Sequence, residues 1–379
     1  MEDIKLTTDY ALSLRPKSLD EMCGQKTIVA EMKKRSLTME FPSVMIFGGD
    51  SGTGKTTMAL ILGALMNDPA PIKKDGYCDP NPDSPEFKAV YSEAYNRNVC
   101  FYDASKMGKE DVVALEDVVG TKSLFGGKKV IIIDEAQELS RHSKGATLKL
   151  LEKKRDDVCI ILCTMNPEAF DKSIRSRGQY YQFKSPTSSD IAAYLFSLTE
   201  KVGAELPDEF IEQGIFTIAE NCEGSVRMAV QTLERCLTAE LWTSEQIQQE
   251  FGYINSENLL NIVRTLLNRN AEAFKMMQSF DLKDFFYQSS KLLADCLIYL
   301  RTGLYDADWK KAQYESLRSL TKEVTELYNL YTEIDFKIAG YFRESYCKVK
   351  LTDFLTKAAP ATTPPARTAF TPNSGIKTR

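Results

Sequence analysis

Gly49-Asp50-Ser51-Gly52-Thr53-Gly54-Lys55-Thr56 decides the reading of this chain. The eight residues fit G-x-x-x-x-G-K-[ST]. They stand between an apolar run, Val44-Met45-Ile46-Phe47, and a helix-patterned run, Thr57 to Met66. That order of strand, loop and helix is the context in which the pattern is a phosphate-binding P-loop. Glycines let backbone amides curl around the terminal phosphates of a nucleotide, and the helix N-terminus adds a positive dipole end. Lys55 neutralises phosphate charge and Thr56 offers its hydroxyl to magnesium. Gly49, Asp50, Ser51, Gly52, Thr53, Gly54, Lys55, Thr56 and Thr57 are therefore expected to hold a nucleoside triphosphate.

Outward from the loop, three more short apolar runs read as strands: Val99 to Tyr102, Val130 to Ile133 and Val158 to Cys163. Their length, β-branched content and turn-like ends favour strands over buried helix turns, and their alternation with helical patterns predicts a parallel sheet covered by helices. The run Val130 to Ile133 ends in Asp134-Glu135, two acids at the carboxyl end of a strand, where open α/β sheets bind ligands. Taken alone, such a pair reads equally as an acidic turn. Paired with the P-loop, Asp134 is expected to hold the magnesium through water and Glu135 to orient and polarise an attacking water.

Beyond Pro186 the rhythm becomes helical. Apolar residues recur at helical spacing at Ile191, Tyr194, Leu195 and Leu198, then at Phe210, Ile211, Ile215, Ile218 and Ala219, then at Val226, Val230, Leu233 and Leu237. Three helices to about Gly252 are predicted. A second helical block runs from Asn255 to about Leu355, with segments at Leu259 to Leu267, Phe285 to Tyr299 and Tyr328 to Phe342. Its aromatics (Phe285, Phe286, Tyr287, Tyr328, Tyr331, Phe336, Tyr341, Phe342) read as a packed core rather than a base-stacking platform. The stretch from Lys357 to Arg379 holds four prolines, four cations and no acid, the composition of a disordered tail. The expected architecture is an α/β P-loop domain with a parallel sheet over 1–186, a small three-helix lid domain over 187–253, an all-α domain over 254–356, and the tail 357–379.

The 379 residues suffice for two or three domains, and 43% hydrophobic with 27% charged residues excludes a mainly disordered, collagenous or coiled-coil chain. The longest apolar stretch, Met58 to Met66, is far short of the ~20 residues a membrane span needs, and the acidic start Met-Glu-Asp is not a secretory leader, so no membrane partner is expected. Nine scattered cysteines without a C-x-x-C pair read as reduced thiols in a cytoplasm. The single histidine, His142, makes metal and triad hydrolase chemistry poor readings. A net charge of −5 leaves nucleic-acid binding by one concave face open.

Together these motifs resemble the AAA+ ATPases, and more narrowly the clamp-loader ATPase subunits of the bacterial DNA polymerase III gamma/tau type. Leu14-Arg15-Pro16-Lys17-Ser18-Leu19-Asp20-Glu21-Met22-Cys23-Gly24-Gln25 is similar to that family's R-P-x-x-F-x-x-x-x-G-Q segment, which wraps the adenine; by this resemblance Tyr10, Arg15 and Pro16 line the base pocket. Asp134-Glu135-Ala136-Gln137-Glu138-Leu139-Ser140-Arg141-His142-Ser143 is similar to D-E-x-x-x-L-S-R-H-S. In Cys163-Thr164-Met165-Asn166-Pro167, where the family keeps its polar sensor 1, both Thr164 and Asn166 are candidates. Ser176-Arg177-Gly178 resembles S-R-C, whose arginine enters the neighbouring subunit's ATP site as a finger; glycine here replaces cysteine. Gly224-Ser225-Val226-Arg227 resembles the sensor 2 motif G-S-x-R, which places Arg227 on the γ-phosphate in cis.

The resemblance implies ATP and Mg²⁺, a pentamer-like assembly with other loader subunits whose C-terminal helices form a collar, a sliding clamp, and primer-template DNA tracked along its backbone. Asp103-Ala104-Ser105-Lys106-Met107-Gly108-Lys109 is similar to D-A-A-S-R-T-K on the DNA chamber wall, making Lys106 and Lys109 the DNA-contact candidates. Family members usually carry a four-cysteine zinc module before the second strand. Residues 75–98 here keep only Cys78, so no zinc is expected; with the short tail, this departure suggests a divergent, viral version. Two other readings stand beside the loader ATPase: a different AAA+ DNA motor, such as a branch-migration or helicase-loading ATPase, and a structural loader subunit that does not hydrolyse ATP.

Overall fold

A computed structural model describes residues 9–92, 98–108, 110–111, 114–115, 127–139, 141–152, 156–170, 172–203, 206–253, 256–280, 282–304, 308–333 and 340–356. The chain begins with a short helix α1 (Tyr10–Ser13) and α2 (Lys26–Thr38). It continues through β1 (Val44–Gly48), α3 (Lys55–Leu65), a hairpin of β2 (Ile72–Lys74) and β3 (Tyr77–Asp79), and α4 (Pro85–Tyr91). Then come β4 (Val99–Asp103), β5 (Lys129–Asp134), α5 (Arg141–Glu152), β6 (Val158–Thr164), α6 (Lys172–Arg175) and β7 (Gln179–Gln182).

Five strands form one parallel sheet in the order β4-β5-β6-β1-β7. Side chains alternate across it with the period of two that a strand imposes. Met45, Phe47, Val130, Ile132 and Ile161 pack on one face with Met32, Met58 and Ile61 from α2 and α3. Val44, Ile46, Ile131, Ile133 and Leu162 pack on the other with Leu150, Leu151 and Ile174 from α5 and α6. Every residue of β1 and β6 is buried, as covered parallel strands require. The edge strand β7, Gln179-Tyr180-Tyr181-Gln182, buries only Tyr181, and so polar a run carries no strand signal in the sequence. Register places Thr164 beside Gly48 and Asp134 beside Asp103, so the ends of β1, β5 and β6 share one edge of the sheet.

Helix α7 (Ser188–Val202) begins after Pro186 on a capping box in which Thr187 and Asp190 satisfy each other's backbone amides. A π-helical turn at Phe210–Gly214 leads into α8 (Ile215–Asn221), followed by α9 (Val226–Ala239) and α10 (Ser244–Phe251). The segment therefore holds four helices, not three: α10 is short and polar and buries little beyond Ile247, which leaves almost no periodic signal.

Described residues up to Ile247 form one compact unit, and those from Gln248 onward form a second. The second is all helical: α11 (Ser256–Leu267), α12 (Leu282–Thr302), α13 (Asp308–Glu315), α14 (Thr321–Thr332) and α15 (Gly340–Thr356), around a core that includes Phe285, Phe286, Leu293, Leu327, Tyr331 and Leu351. Two expectations change here. The helix expected from Tyr328 ends early, since α14 stops at Thr332 with its C-cap at Glu333, and helical spacing alone does not reveal that end; residues 334–339 lie outside the described residues. Tyr287 is exposed, because three consecutive helical residues span about 200° and cannot all face one core. Phe336, the side chains of Tyr341 and Phe342, and the tail 357–379 lie outside the described residues. No helix among the described residues is long and apolar enough to cross a membrane.

Candidate active site

The P-loop leaves the carboxyl end of β1 and turns directly into α3. Gly52 holds a left-handed φ of 76°, and a Cβ there would lie 2.1 Å from Ser225 Oγ, so the start of α9 and the loop touch at a point only glycine permits. Lys55 is buried, and its Nζ donates to the loop's own carbonyls, Gly49 O at 2.8 Å and Asp50 O at 2.7 Å. Burial pushes its pKa below the ordinary 10.5, although Cys163, Glu135, Asp134 and Asp50 pull the other way.

At the end of β5, Asp134 Oδ2 accepts from Thr56 Oγ1 at 2.8 Å, and its Oδ1 accepts from the Glu135 amide at 3.0 Å. Burial pushes the Asp134 carboxyl above its ordinary 3.8 despite those bonds. Glu135 sits in the left-handed region at φ 48°, a conformation that costs a non-glycine residue about 1 kcal/mol or more. Its carboxylate Oε2 accepts from Gln137 Nε2 at 2.5 Å. Gln137 Oε1 in turn accepts from Thr164 Oγ1 at 2.9 Å and from the Met165 amide at 3.1 Å.

The cavity that holds Ser51 to Thr57, Asp134 and Glu135 is also lined by Tyr10, Arg15, Pro16, Tyr194, Arg227 and Val230. Tyr10 is buried, and its hydroxyl has no hydrogen-bond partner among the described residues. Helix α1 is pinned to α9 by Glu234, whose two oxygens accept from the Asp9 and Tyr10 amides at 2.9 Å each. Arg227 lies in the first turn of α9, whose Val226 amide donates to Gly52 O at 3.0 Å and whose N-cap is Ser225. Gln25 braces the loop from outside, donating to Thr53 O at 3.3 Å and to Lys184 O at 2.6 Å.

Residues 24–187 match the family described as DNA polymerase III, delta subunit. Among curated proteins, the gamma subunit of DNA polymerase III from Buchnera aphidicola (Baizongia pistaciae) is 28% identical over 68% of this chain and 68% of its own length. The tau subunit from Bacillus subtilis is 24% identical over 76% of this chain and 50% of its own. The chain is thus similar to the gamma and tau subunits of DNA polymerase III. Protein STICHEL-like 2 from Arabidopsis thaliana is 28% identical over 68% of this chain, which spans only 29% of that protein. A solved structure of the Thermotoga maritima RuvB Holliday junction branch migration motor is 16% identical at TM-score 0.46, covering 73% of this chain and 91% of its own.

Arg177 stands apart from the cavity. It precedes β7, at the amino edge of the sheet, whereas the P-loop leaves the carboxyl edge. Its guanidinium donates to Ser173 O at 2.6 Å and to Glu152 Oε1 at 2.8 Å. The glycine after it is explained by space: a Cβ on Gly178 would lie 2.8 Å from Ile46. Asn166 is an N-cap whose Oδ1 accepts from the Glu168 amide, and its own amide donates to Thr164 Oγ1 at 3.1 Å. Lys106 is exposed and ion-paired with Asp103 at 3.1 Å, while Lys109 lies outside the described residues.

Where the resemblance leads one to look for a zinc module, the structure has the β2–β3 hairpin tied by charges. Lys74 Nζ donates to Asp20 Oδ2 at 2.7 Å and to the buried Asp79 Oδ2 at 2.8 Å; Lys33 Nζ meets Asp20 Oδ1 at 2.5 Å, and Tyr77 donates to Asp20. Asp79 Oδ1 also accepts from the Leu19 amide at 2.8 Å. Among the described residues no group of three or more His, Cys, Asp or Glu is placed to hold a metal.

Sequence reasoning missed Gln137, Glu234 and Gln25. Glu234 had a faint signal, since it stands seven residues after Arg227 and so on the same helix face. Gln25 closes the quoted G-Q segment, yet nothing local says what it braces, and Gln137 gave no signal of its reach to Thr164 and Met165, which are remote in sequence.

Proposed function

We propose that this chain is the ATP-hydrolysing subunit of a sliding-clamp loader in a bacterial cytoplasm, or in that of a host if the chain is viral. The observation that carries this reading is the split placement of the catalytic set. Lys55, Thr56, Asp134, Glu135 and Arg227 converge on one cavity, while Arg177 sits at the opposite edge of the sheet and is absent from the cavity's lining. An arginine so placed serves a neighbouring subunit's site, so turnover belongs to an assembly. ATP would lie with its phosphates in the P-loop and its base against Tyr10, Arg15 and Pro16. Phosphate oxygens replace the carbonyls that Lys55 now holds. The Thr56 hydroxyl and Asp134 carboxylate are the hard oxygen donors that suit Mg²⁺, which when bound neutralises phosphate charge. Glu135 takes the water-polarising role, with Thr164 or Asn166 at sensor 1.

Residues 187–253 act in this reading as the lid, and 254–356 as the collar that joins partner subunits. ATP binding opens the clamp, primer-template DNA triggers hydrolysis, and hydrolysis releases the loaded ring. Lys106 and Lys109 are the proposed DNA contacts. The test is steady-state ATP turnover of the chain, with partner subunits, primer-template DNA and a sliding clamp, for wild type and Arg177→Ala. Stimulation by DNA and clamp together, lost about 10³-fold in Arg177→Ala with ATP affinity unchanged, is expected. Full stimulation by DNA alone would mark a different DNA motor, and turnover untouched by Glu135→Gln would mark a structural subunit.

A further inference from the structure

We propose that Gln137 is a positioning residue that fixes the Glu135 carboxylate and couples it to the end of β6. The inference rests on the reading of Glu135 as the group that polarises water. Gln137 lies in the 3₁₀ turn Ala136–Glu138 directly after the Asp134-Glu135 pair. Its amide can point only one way. The Met165 backbone amide can only donate, so the atom it meets is the side-chain oxygen; the Glu135 carboxylate accepts, so the atom it meets is the nitrogen. One carboxylate oxygen of Glu135 is thereby occupied and the other is left for a water.

The far end of this link is anchored at the phosphate loop. Thr164 is fully buried; its hydroxyl proton goes to Gln137 and its Oγ1 accepts from the Asn166 amide. Its carbonyl accepts from the Gly49 amide at 3.2 Å, the first residue of the P-loop. A continuous path thus runs from Gly49 through Thr164 and Gln137 to Glu135. Glu135 needs such a hold, because its left-handed backbone sets the side chain in a direction that local preferences do not favour. The same bonds separate the two sensor 1 candidates. The Thr164 hydroxyl is spent inside the link, whereas Asn166 Nδ2 has no partner among the described residues.

Two variants break the link differently. Gln137→Leu removes both ends, whereas Gln137→Glu keeps an acceptor for Thr164 and Met165 but sets a carboxylate against Glu135. Both are expected to lower kcat about tenfold to hundredfold at pH 8, with nucleotide affinity within about twofold of wild type and unchanged melting temperature. In a Glu135→Gln background, Gln137→Leu adds no further loss. Where wild-type turnover is too slow to divide, binding of ADP with aluminium fluoride replaces it: both variants weaken that complex about tenfold more than they weaken ADP alone. If Glu135→Gln abolishes turnover while both Gln137 variants keep wild-type values, the coupling is wrong and the role of Glu135 stands. If Glu135→Gln itself turns over normally, the reading of Glu135 falls first. Parallel losses of kcat, affinity and melting temperature would make Gln137 a structural residue and overturn the proposal.

Discussion

The phosphate cleft and the β2–β3 hairpin both set lysines against carboxylates inside the same unit, yet burial prevails in one and loses in the other. In the cleft, desolvation holds Lys55 below its ordinary pKa and Asp134 above its own, and the neighbouring charges do not make up the difference. At the hairpin, burial works against Asp20 and Lys74 too. Hydrogen bonds from Lys33, Lys74 and Tyr77 outweigh it and hold the Asp20 carboxyl well below its usual range, while Asp20 and Asp79 hold Lys74 above its own. The hairpin cluster is complete in itself. The cleft is short of counter-charge, and whatever supplies it stabilises the folded chain by mass action. Opposite pKa shifts thus set the proposed binding cleft apart from a structural clamp where charge counts alone do not.

Substitutions can break or sharpen that contrast. Lys55→Ala should give the largest effect, a loss of about 10²-fold or more in ATP turnover, with the melting temperature of the nucleotide-free protein nearly unchanged, since a poorly compensated buried ammonium is removed. A large stability loss with turnover retained would erase the distinction. Next is Glu234→Ala, which frees the Asp9 and Tyr10 amides; calorimetric titration should show nucleotide affinity falling about three- to tenfold with stability little changed. Unchanged affinity would place α1 outside the working site.

The smallest effect is at the hairpin. Asp20 is partly exposed, so Asp20→Asn should cost roughly 1 kcal/mol or less at pH 7, with turnover unaffected. Its folded pKa lies below the ordinary 3.8, so its contribution is present above about pH 4 and is lost as pH falls through the lowered value. Melting curves across that range should converge for wild type and variant as acid is added. Curves that stay parallel would deny the clamp its charge.

Much of the sheet was legible because β1, β4, β5 and β6 are apolar runs that only burial explains, and the P-loop because its glycines answer a backbone need. The edge strand β7 and helix α10 were not, since each buries a single apolar side chain. In the cleft, Asp134 and Glu135 follow from a strand ending in acids. Tyr10, Arg15, Pro16 and Arg227 came from resemblance alone, for no periodicity says that Tyr10 and Arg227 meet at one cavity. Gln137 and Glu234 escaped both routes, because a polar side chain whose work is to reach across the fold looks like any solvated residue until the fold brings its partner near.

Helix α9 carries Arg227 at one end and Glu234 two turns further on, about 10 Å along its axis. The first lines the cavity that the P-loop also lines, and the second grips the chain that carries Tyr10. If the cavity takes a nucleotide as proposed, the helix is a lever with both hands on it. In that proposed role a swing that loosens one grip would loosen the other, exchange would proceed in a single stroke, and a ligand lacking either its base or its terminal phosphate would leave the lever half loaded.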